Sequence, residues 1–258
     1  MRYASLASGS KGNCHAINDE KRILLIDAGI SLRQIEKRLE SIGWSADKVR
    51  GVAITHEHSD HIHAVDAILK RTDWMILATP GTVNGIKIAK GIDTPESRWI
   101  PLEAGLTIDW DGWRLHPFTI SHDTIDPVAY RIEADGVRLA VITDLGYVTK
   151  LVVEYASDLE VLVLEANHDV MTLRDGSYRP QDKIRILSRA GHLSNDACAE
   201  LLARVLSPAL RHIVLAHLSE RNNDPAQARL TVSDAINRAG SAAKLHVASQ
   251  REVLEFEV

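Results

Sequence analysis

The stretch Thr55-His56-Glu57-His58-Ser59-Asp60-His61 directly follows the apolar run Gly51–Ile54, and its reading decides the fold. An apolar run rich in β-branched residues ending in such a cluster reads as a strand whose exit loop and following helical turn carry four potential metal ligands. Imidazole nitrogens and a carboxylate suit zinc, manganese or iron, and their close alternation can aim some ligands at one ion and the rest at its neighbour. The competing reading, a solvated histidine-rich turn, explains neither the spacing nor the strand before it. Three later strand ends repeat the arrangement: His122 after Phe118-Thr119-Ile120-Ser121, Asp144 after Val141-Ile142-Thr143, and His217 after Val214-Leu215-Ala216. A two-metal hydrolase needs ions about 3.5–4 Å apart and a group that bridges them. The expected assignment is therefore His56, His58 and His122 on the first ion, Asp60, His61 and His217 on the second, and Asp144 shared. Asp60 counts both as a ligand and as a catalytic carboxylate. Asp27, which ends Leu24-Leu25-Ile26, is suitably typed to orient a ligand histidine from behind.

Working outward, the chain reads as one α/β domain over residues 1–258. Strands are expected at Tyr3–Leu6, Cys14–Ile17, Arg22–Ile26, Gly51–Ile54, Met75–Ala78, Arg114–Ile120, Ala129–Glu133, Leu139–Ile142, Val161–Leu164, Ile213–Ala216 and Lys244–Ala248. Helices are expected from Ser31 to about Ile42, then at His61–Arg71, Thr149–Ala156, Gln181–Arg189, Ser194–Leu206 and Pro225–Ala239, the first with Ser31 and Gln34 as a capping box and Gly43 as its stop. Early hairpins followed by strands alternating with helices suit two mixed sheets sandwiched between helix layers.

Composition bounds the rest. Hydrophobic content of 45% and charged content of 25% are those of an ordinary folded protein and argue against disorder. No apolar run reaches the roughly 18 residues a membrane span needs, and no secretory core follows Met1, so the cytoplasm is expected. Cys14 and Cys198 lack ligand spacing and read as packed free thiols. The net charge of −5 opposes nonspecific coating of nucleic acid, leaving a local basic groove as the way to hold such a substrate.

An aspartate after an early strand, H-x-H-x-D-H, a histidine, an aspartate and a final histidine, in this order from Asp27 to His217, resembles the metallo-β-lactamase superfamily. That implies the αββα sandwich, two divalent ions per chain (Zn2+ or Mn2+), and a hydroxide held between them as nucleophile. Five further blocks resemble the YycJ/WalJ-type branch: Ser5–Asn13, Thr143–Tyr147, Glu165–Asp169, Gly191–Asn195 and His217–Asn223. This resemblance implies a DNA phosphodiesterase with 5′-to-3′ exonuclease activity. The layout of Glu165-Ala166, Gly191-His192-Leu193-Ser194 and His217-Leu218-Ser219 is also similar to RNase Z, which implies His192 as the proton donor to the leaving oxygen and Glu165 as its orienter.

Substrate-contact candidates are Ser10, Lys11 and Asn13 in a glycine-rich loop able to offer amides to an anion. His168, Ser194 and Asn195 join them through the branch blocks, and Arg179, Lys183, Arg185 and Arg189 as a basic edge beside His192. A hairpin turn and a solvated helix face are the structural alternatives. Competing functions are a cyclic-nucleotide or other small-molecule phosphodiesterase, a glyoxalase-type thioesterase, which would not need the Gly191-His192 block, a lactamase, and a non-catalytic metal-binding or DNA-scaffolding protein.

Overall fold

The computed structural model describes residues 1–258. Two seven-stranded sheets face each other. The first runs in the order β14-β1-β2-β3-β4-β5-β6, built from β1 (Arg2–Ala7), β2 (Cys14–Asn18), β3 (Ile23–Ile26), β4 (Val49–Ala53), β5 (Met75–Ala78), β6 (Trp99–Pro101) and β14 (Leu254–Glu257). The second runs β13-β12-β11-β10-β9-β8-β7, built from β7 (Ile108–Trp110), β8 (Trp113–Thr119), β9 (Val128–Ala134), β10 (Val137–Ile142), β11 (Val161–Glu165), β12 (His212–Ala216) and β13 (Lys244–Val247). Each sheet is antiparallel on one side and parallel on the other: β3 to β6 and β10 to β13 are the parallel halves.

The parallel strands read as continuous apolar runs because both of their faces are covered. In β3, Leu24 and Ile26 point between the sheets while Ile23 and Leu25 point to the outer helices. In β11, Val161 and Val163 point inward while Leu162 and Leu164 meet the other helix layer. The outer layers include α1 (Leu32–Ser41) and α3 (Val65–Arg71) on the first sheet, and α8 (Asn195–Val205) and α9 (Pro225–Arg238) on the second. The result is the expected αββα sandwich, and the Tyr130 hydroxyl ties the sheets together by donating to Ile54 O at 2.6 Å, just before the histidine motif.

Several elements depart from the sequence reading. The helix expected over His61–Arg71 is broken into α2 (Ser59–Ile62) and α3. Its first-turn carbonyls are diverted: Asp60 O accepts from Asn13 N at 2.8 Å and His61 O from Ala28 N at 2.7 Å, while Ala28 O takes Ala64 N at 2.8 Å. The helix expected over Gln181–Arg189 spans Pro180–Ile186 (α7), with Pro180 at its first turn. Strands β6, β7 and β14 and helices α4 (Pro80–Lys90) and α6 (Val170–Asp175) were not anticipated. The remaining helix, α5, spans Lys150–Tyr155 with Thr149 as its cap. Glycines 81 and 85 lower helical propensity in α4, but close packing requires them: a Cβ at Gly81 would stand 2.3 Å from Asp126 Cβ, and one at Gly85 2.5 Å from Glu57 Cγ. Cys14 and Cys198 are buried and free. No helix is long and apolar enough to cross a membrane.

Candidate metal centre

Asp27, Asp144 and His217 follow β3, β10 and β12, and all three adopt left-handed backbone conformations, with φ of 63°, 58° and 55°. Non-glycine residues pay roughly 1–2 kcal/mol for that conformation, so it persists only where the surroundings impose it. Here a shared cluster of side chains does so. Four sets of donors each bring their ligand atoms within 4.8 Å of one another: His56/His58/His122, Asp60/His61/His217, His56/His61/Asp144, and Asp144/Glu165/His192/His217. The structure thus brings together all seven residues expected as ligands, in the two triads and with Asp144 reaching both.

Most of the rings are held from behind, leaving one nitrogen for the centre. His61 Nδ1 lies 2.8 Å from Asp27 Oδ2, and Asp27 also accepts from Thr55 N at 2.8 Å. His56 Nδ1 lies 2.9 Å from the Thr55 hydroxyl, His122 Nδ1 3.2 Å from Gly191 O, and His217 Nδ1 2.8 Å from Glu165 Oε1. This is the arrangement that fixes the ring orientation of metal-binding histidines. On the inner side, Asp144 Oδ2 stands 3.2 Å from His61 Nε2 and Asp144 Oδ1 3.6 Å from His122 Nε2. Asp60 Oδ2 stands 3.5 Å from His61 Nε2 and 3.4 Å from His217 Nε2.

Fit to a cation can be tested on the polar atoms left over. His56 Nε2, His217 Nε2 and Asp144 Oδ2 are buried and have no hydrogen-bond partner. Such groups cost free energy unless satisfied. Each belongs to one or more of these donor sets, so divalent metal there would satisfy them, and the donor set suits it. The electrostatics agree. Burial alone would drive the His61 and His217 rings neutral, yet Asp144, with Asp27 and Asp60 at His61 and with Asp60 and Glu165 at His217, holds both well above the ordinary histidine range. Burial would likewise raise Asp144, but the His217 and His61 rings hold it well below the carboxylate range. The pocket has an excess of carboxylate that calls for positive charge.

His192 is placed differently. Its Nδ1 is taken by Glu165 Oε1 at 2.9 Å, the oxygen that also receives His217, while Glu165 Oε2 accepts from Leu145 N at 2.8 Å and Leu193 N at 2.9 Å. Burial pushes the Glu165 carboxyl up, but the His192 ring and the hydrogen bonds from His192 and His217 bring it down to about 2. An ionised, fully ligated carboxylate therefore orients His192, which lines a cavity of about 230 Å³ together with His58, Asp60, Asp144 and His217.

The substrate-contact candidates separate. Ser10 and Arg185 line that cavity. Lys11 instead pairs with Glu220, and Asn13 turns inward, accepting from Gly9 N at 2.9 Å and donating to Asp60 Oδ2 at 3.3 Å, so it positions the Asp60 carboxylate. Asn195 is buried in a two-way amide pair with Asn223, both bonds 2.9 Å, which leaves its side chain committed away from the cavity. Ser194 caps α8 by accepting from Ala197 N at 3.2 Å. His168 is buried with neither ring nitrogen hydrogen-bonded, and burial lowers it to about 4. The basic edge dissolves: Arg179 pairs with Asp182, Lys183 donates to Arg174 O, and Arg189 lies 4.0 Å over the Tyr147 ring. Sequence reading missed Asp123, which holds Arg185, as well as Tyr178, Asn167 and Ser219 on the cavity wall. Asp123, adjacent to His122, and Asn167 and Ser219, inside the Glu165–Asp169 and His217–Asn223 blocks, carried a signal that could have found them; Tyr178 carried none.

An αββα sandwich with histidines and aspartates converging at its strand ends is the architecture of a metal-binding hydrolase fold. The chain belongs to the beta-lactamase superfamily and, within it, to the WalJ/YycJ family: the model of the beta-lactamase superfamily domain matches residues 22–218. It is 35% identical over 240 residues to the exodeoxyribonuclease WalJ of Streptococcus pneumoniae serotype 2, covering 93% of this chain and 89% of that one. It is 33% identical over 240 residues to the exodeoxyribonuclease YycJ of Bacillus anthracis, covering 93% and 90%. Among solved structures, the metallo-beta-lactamase fold protein YhfI from Bacillus subtilis superposes with a TM-score of 0.74 at 14% identity over 99% of both chains, a likeness of fold.

Proposed function

We propose that residues 1–258 form one metal-dependent exodeoxyribonuclease domain acting in the cytoplasm, with 5′-to-3′ polarity as the family resemblance implies. Two divalent ions, zinc or manganese, would be held by His56, His58 and His122 on one side and Asp60, His61 and His217 on the other, with Asp144 between them. When bound, such a pair supplies Lewis-acid charge to the nonbridging phosphate oxygens and lowers the pKa of water enough to provide a nucleophile near neutral pH. The chain's own residues do the rest. His192, its Nδ1–H donated to Glu165, gives a proton from Nε2 to the departing sugar oxygen. Glu165 keeps that ring in its tautomer and simultaneously fixes His217, so one carboxylate aligns the proton donor with the donor set. Asn13 and Thr55 hold Asp60, Asp27 and His56 in place.

The observation that carries this reading is the Glu165–His192 pair beside the ligand residues. A thioester expels a weakly basic thiolate that needs no such donor, whereas a sugar alkoxide does. The names of the two relatives, matched over 93% of the chain, point to the same substrate. The test is turnover by metal-reconstituted protein on end-labelled single- and double-stranded DNA, cyclic nucleotides, a lactam and a glutathione thioester. The expected result is stepwise release from DNA with kcat/KM orders of magnitude above the others. Comparable rates on all substrates, or a preference for the cyclic nucleotide, would overturn the assignment.

A further inference from the structure

Arg185 is the one cationic side chain other than histidine on the cavity wall. Its guanidinium is fixed in a two-point fork, Nε donating to Asp123 Oδ2 at 2.6 Å and Nη2 to Asp123 Oδ1 at 2.9 Å. Nη1 makes no hydrogen bond within the chain. The loop carrying Asp123 is itself seated: Ile125 N donates to Glu57 Oε1 at 2.9 Å, Asp126 O accepts from the Thr79 and Thr82 hydroxyls at 3.2 and 3.3 Å, and the two α4 glycines make room for Asp126 and Glu57. Part of the histidine motif and a helix cap therefore hold in place a half-exposed arginine. A surface ion pair of this kind adds little stability, so stability alone does not account for it. A planar guanidinium with a free amine edge on the wall of this cavity is suited to a phosphate group.

Its position indicates which phosphate. Asp123 Oδ1, bound to the guanidinium, lies 3.5 Å from His122 Nε2 and 3.8 Å from His58 Nε2, so the carboxylate sits between the arginine and the donor set. A group held by Arg185 is adjacent to the cleavage position and not in it. The cavity, about 230 Å³, is of the order of a single nucleotide unit, a size that suits a strand end whose own phosphate neighbours the scissile diester. We propose that Arg185, held by Asp123, binds the terminal phosphate monoester of a nucleic-acid strand, next to the diester being cleaved. This rests on the nuclease reading above, and it adds a requirement for a phosphorylated end.

The test uses metal-loaded protein and fluorescent oligonucleotides with phosphorothioate linkages that slow cleavage, bearing either a phosphate or a hydroxyl at the 5′ end or, separately, at the 3′ end. Anisotropy titrations should show one phosphorylated end bound about tenfold more tightly or better than its hydroxyl counterpart, the scale of a charge-assisted hydrogen bond. Arg185→Gln should reduce that preference to about twofold or less, and Asp123→Asn, which loosens the fork, should reduce it partway. A preference that survives Arg185→Gln, or a loss of affinity equal for both end chemistries, would overturn the proposal. If the Arg185-dependent preference is present but ordinary DNA is not cleaved, the nuclease reading fails and the phosphate site stands. If DNA is cleaved and neither binding nor cleavage responds to the end phosphate, the phosphate site fails and the nuclease reading stands.

Discussion

Replacing His192 by alanine removes a ring with one nitrogen engaged by Glu165 at 2.9 Å and a side chain only 12% exposed on the cavity wall. Glu165 is not stranded by the change, since His217 Nδ1 and the Leu145 and Leu193 amides, at 2.8, 2.8 and 2.9 Å, still satisfy its oxygens. The variant should therefore fold and load metal as the parent does. What disappears is the proton for the leaving group, and a positioned donor commonly contributes about 10²–10⁴-fold to rate. Turnover on ordinary DNA should drop by that factor, or about 3–5 kcal/mol in barrier. On bis(p-nitrophenyl) phosphate, with a leaving group that departs as a stable anion, the loss should be within about tenfold, because the proton matters little there. The assay pairs steady-state kinetics on both substrates with elemental analysis of the same preparations. Equal losses on the two substrates would refute general-acid catalysis and assign His192 to positioning. Lost metal would make His192 a ligand, as its place in a four-donor set with Asp144, Glu165 and His217 allows.

Asp144→Asn should leave the fold intact and abolish hydrolysis, because an amide bridges two cations poorly and cannot offset their charge; circular dichroism with a turnover assay checks both halves. Asp27→Asn weakens the partner that fixes His61 Nδ1 at 2.8 Å and should lower metal affinity by about 10–100-fold in a chelator competition titration. Far from the centre, burial and the neighbouring His246 lower His212 to about 4. An unfolded histidine titrates near 6.5, so between those values the unfolded chain binds a proton that the folded one refuses, and stability falls as pH drops through that window by up to ~1.4 kcal/mol per unit for this group. His212→Phe, which can keep the stack on Phe256 seen at a 4.1 Å ring separation, should flatten that part of the urea-midpoint profile; an unchanged slope would remove His212 as its source.

Legibility followed burial. Most strands read from the sequence have residues that face a sandwich interior, where apolar runs end abruptly at a polar residue; β13, a partly exposed edge strand, is the exception. Those missed lie at sheet edges: β6 and β7 are three residues long, β6 ending in Pro101, and β14 offers only the four-residue alternation Leu254-Glu255-Phe256-Glu257. Helix α4 was hidden by Gly81 and Gly85, and the reason for those glycines lies in Asp126 and Glu57, partners distant in sequence. The same limit applied at the site. Lys11 was a candidate because its loop is polar and glycine-rich and Asn195 because it lies in a branch block, but tertiary partners, Glu220 and Asn223, hold them.

The seven donors were legible for a related reason. A buried parallel strand must end where its chain meets the cavity, so the residue after each apolar run is placed by topology before any side-chain interaction is considered. Asp27, Asp144 and His217 occupy that place on three strands across both sheets, and all three accept the same left-handed backbone. Glycine would adopt it at less cost, and its absence from all three positions means the side chain is worth more than the strain. For Asp27 the return is structural, since it anchors His61 and Thr55. For Asp144 and His217 the return is incomplete in the fold: His217 Nδ1 pairs with Glu165 and Asp144 faces the His61 and His217 rings, but Asp144 Oδ2 and His217 Nε2 are buried without hydrogen-bond partners. Two strained residues that each bury an unsatisfied polar atom destabilise the apo chain twice over, so metal binding should raise its thermal stability as well as activate it, through the linkage that rewards any ligand of the folded state.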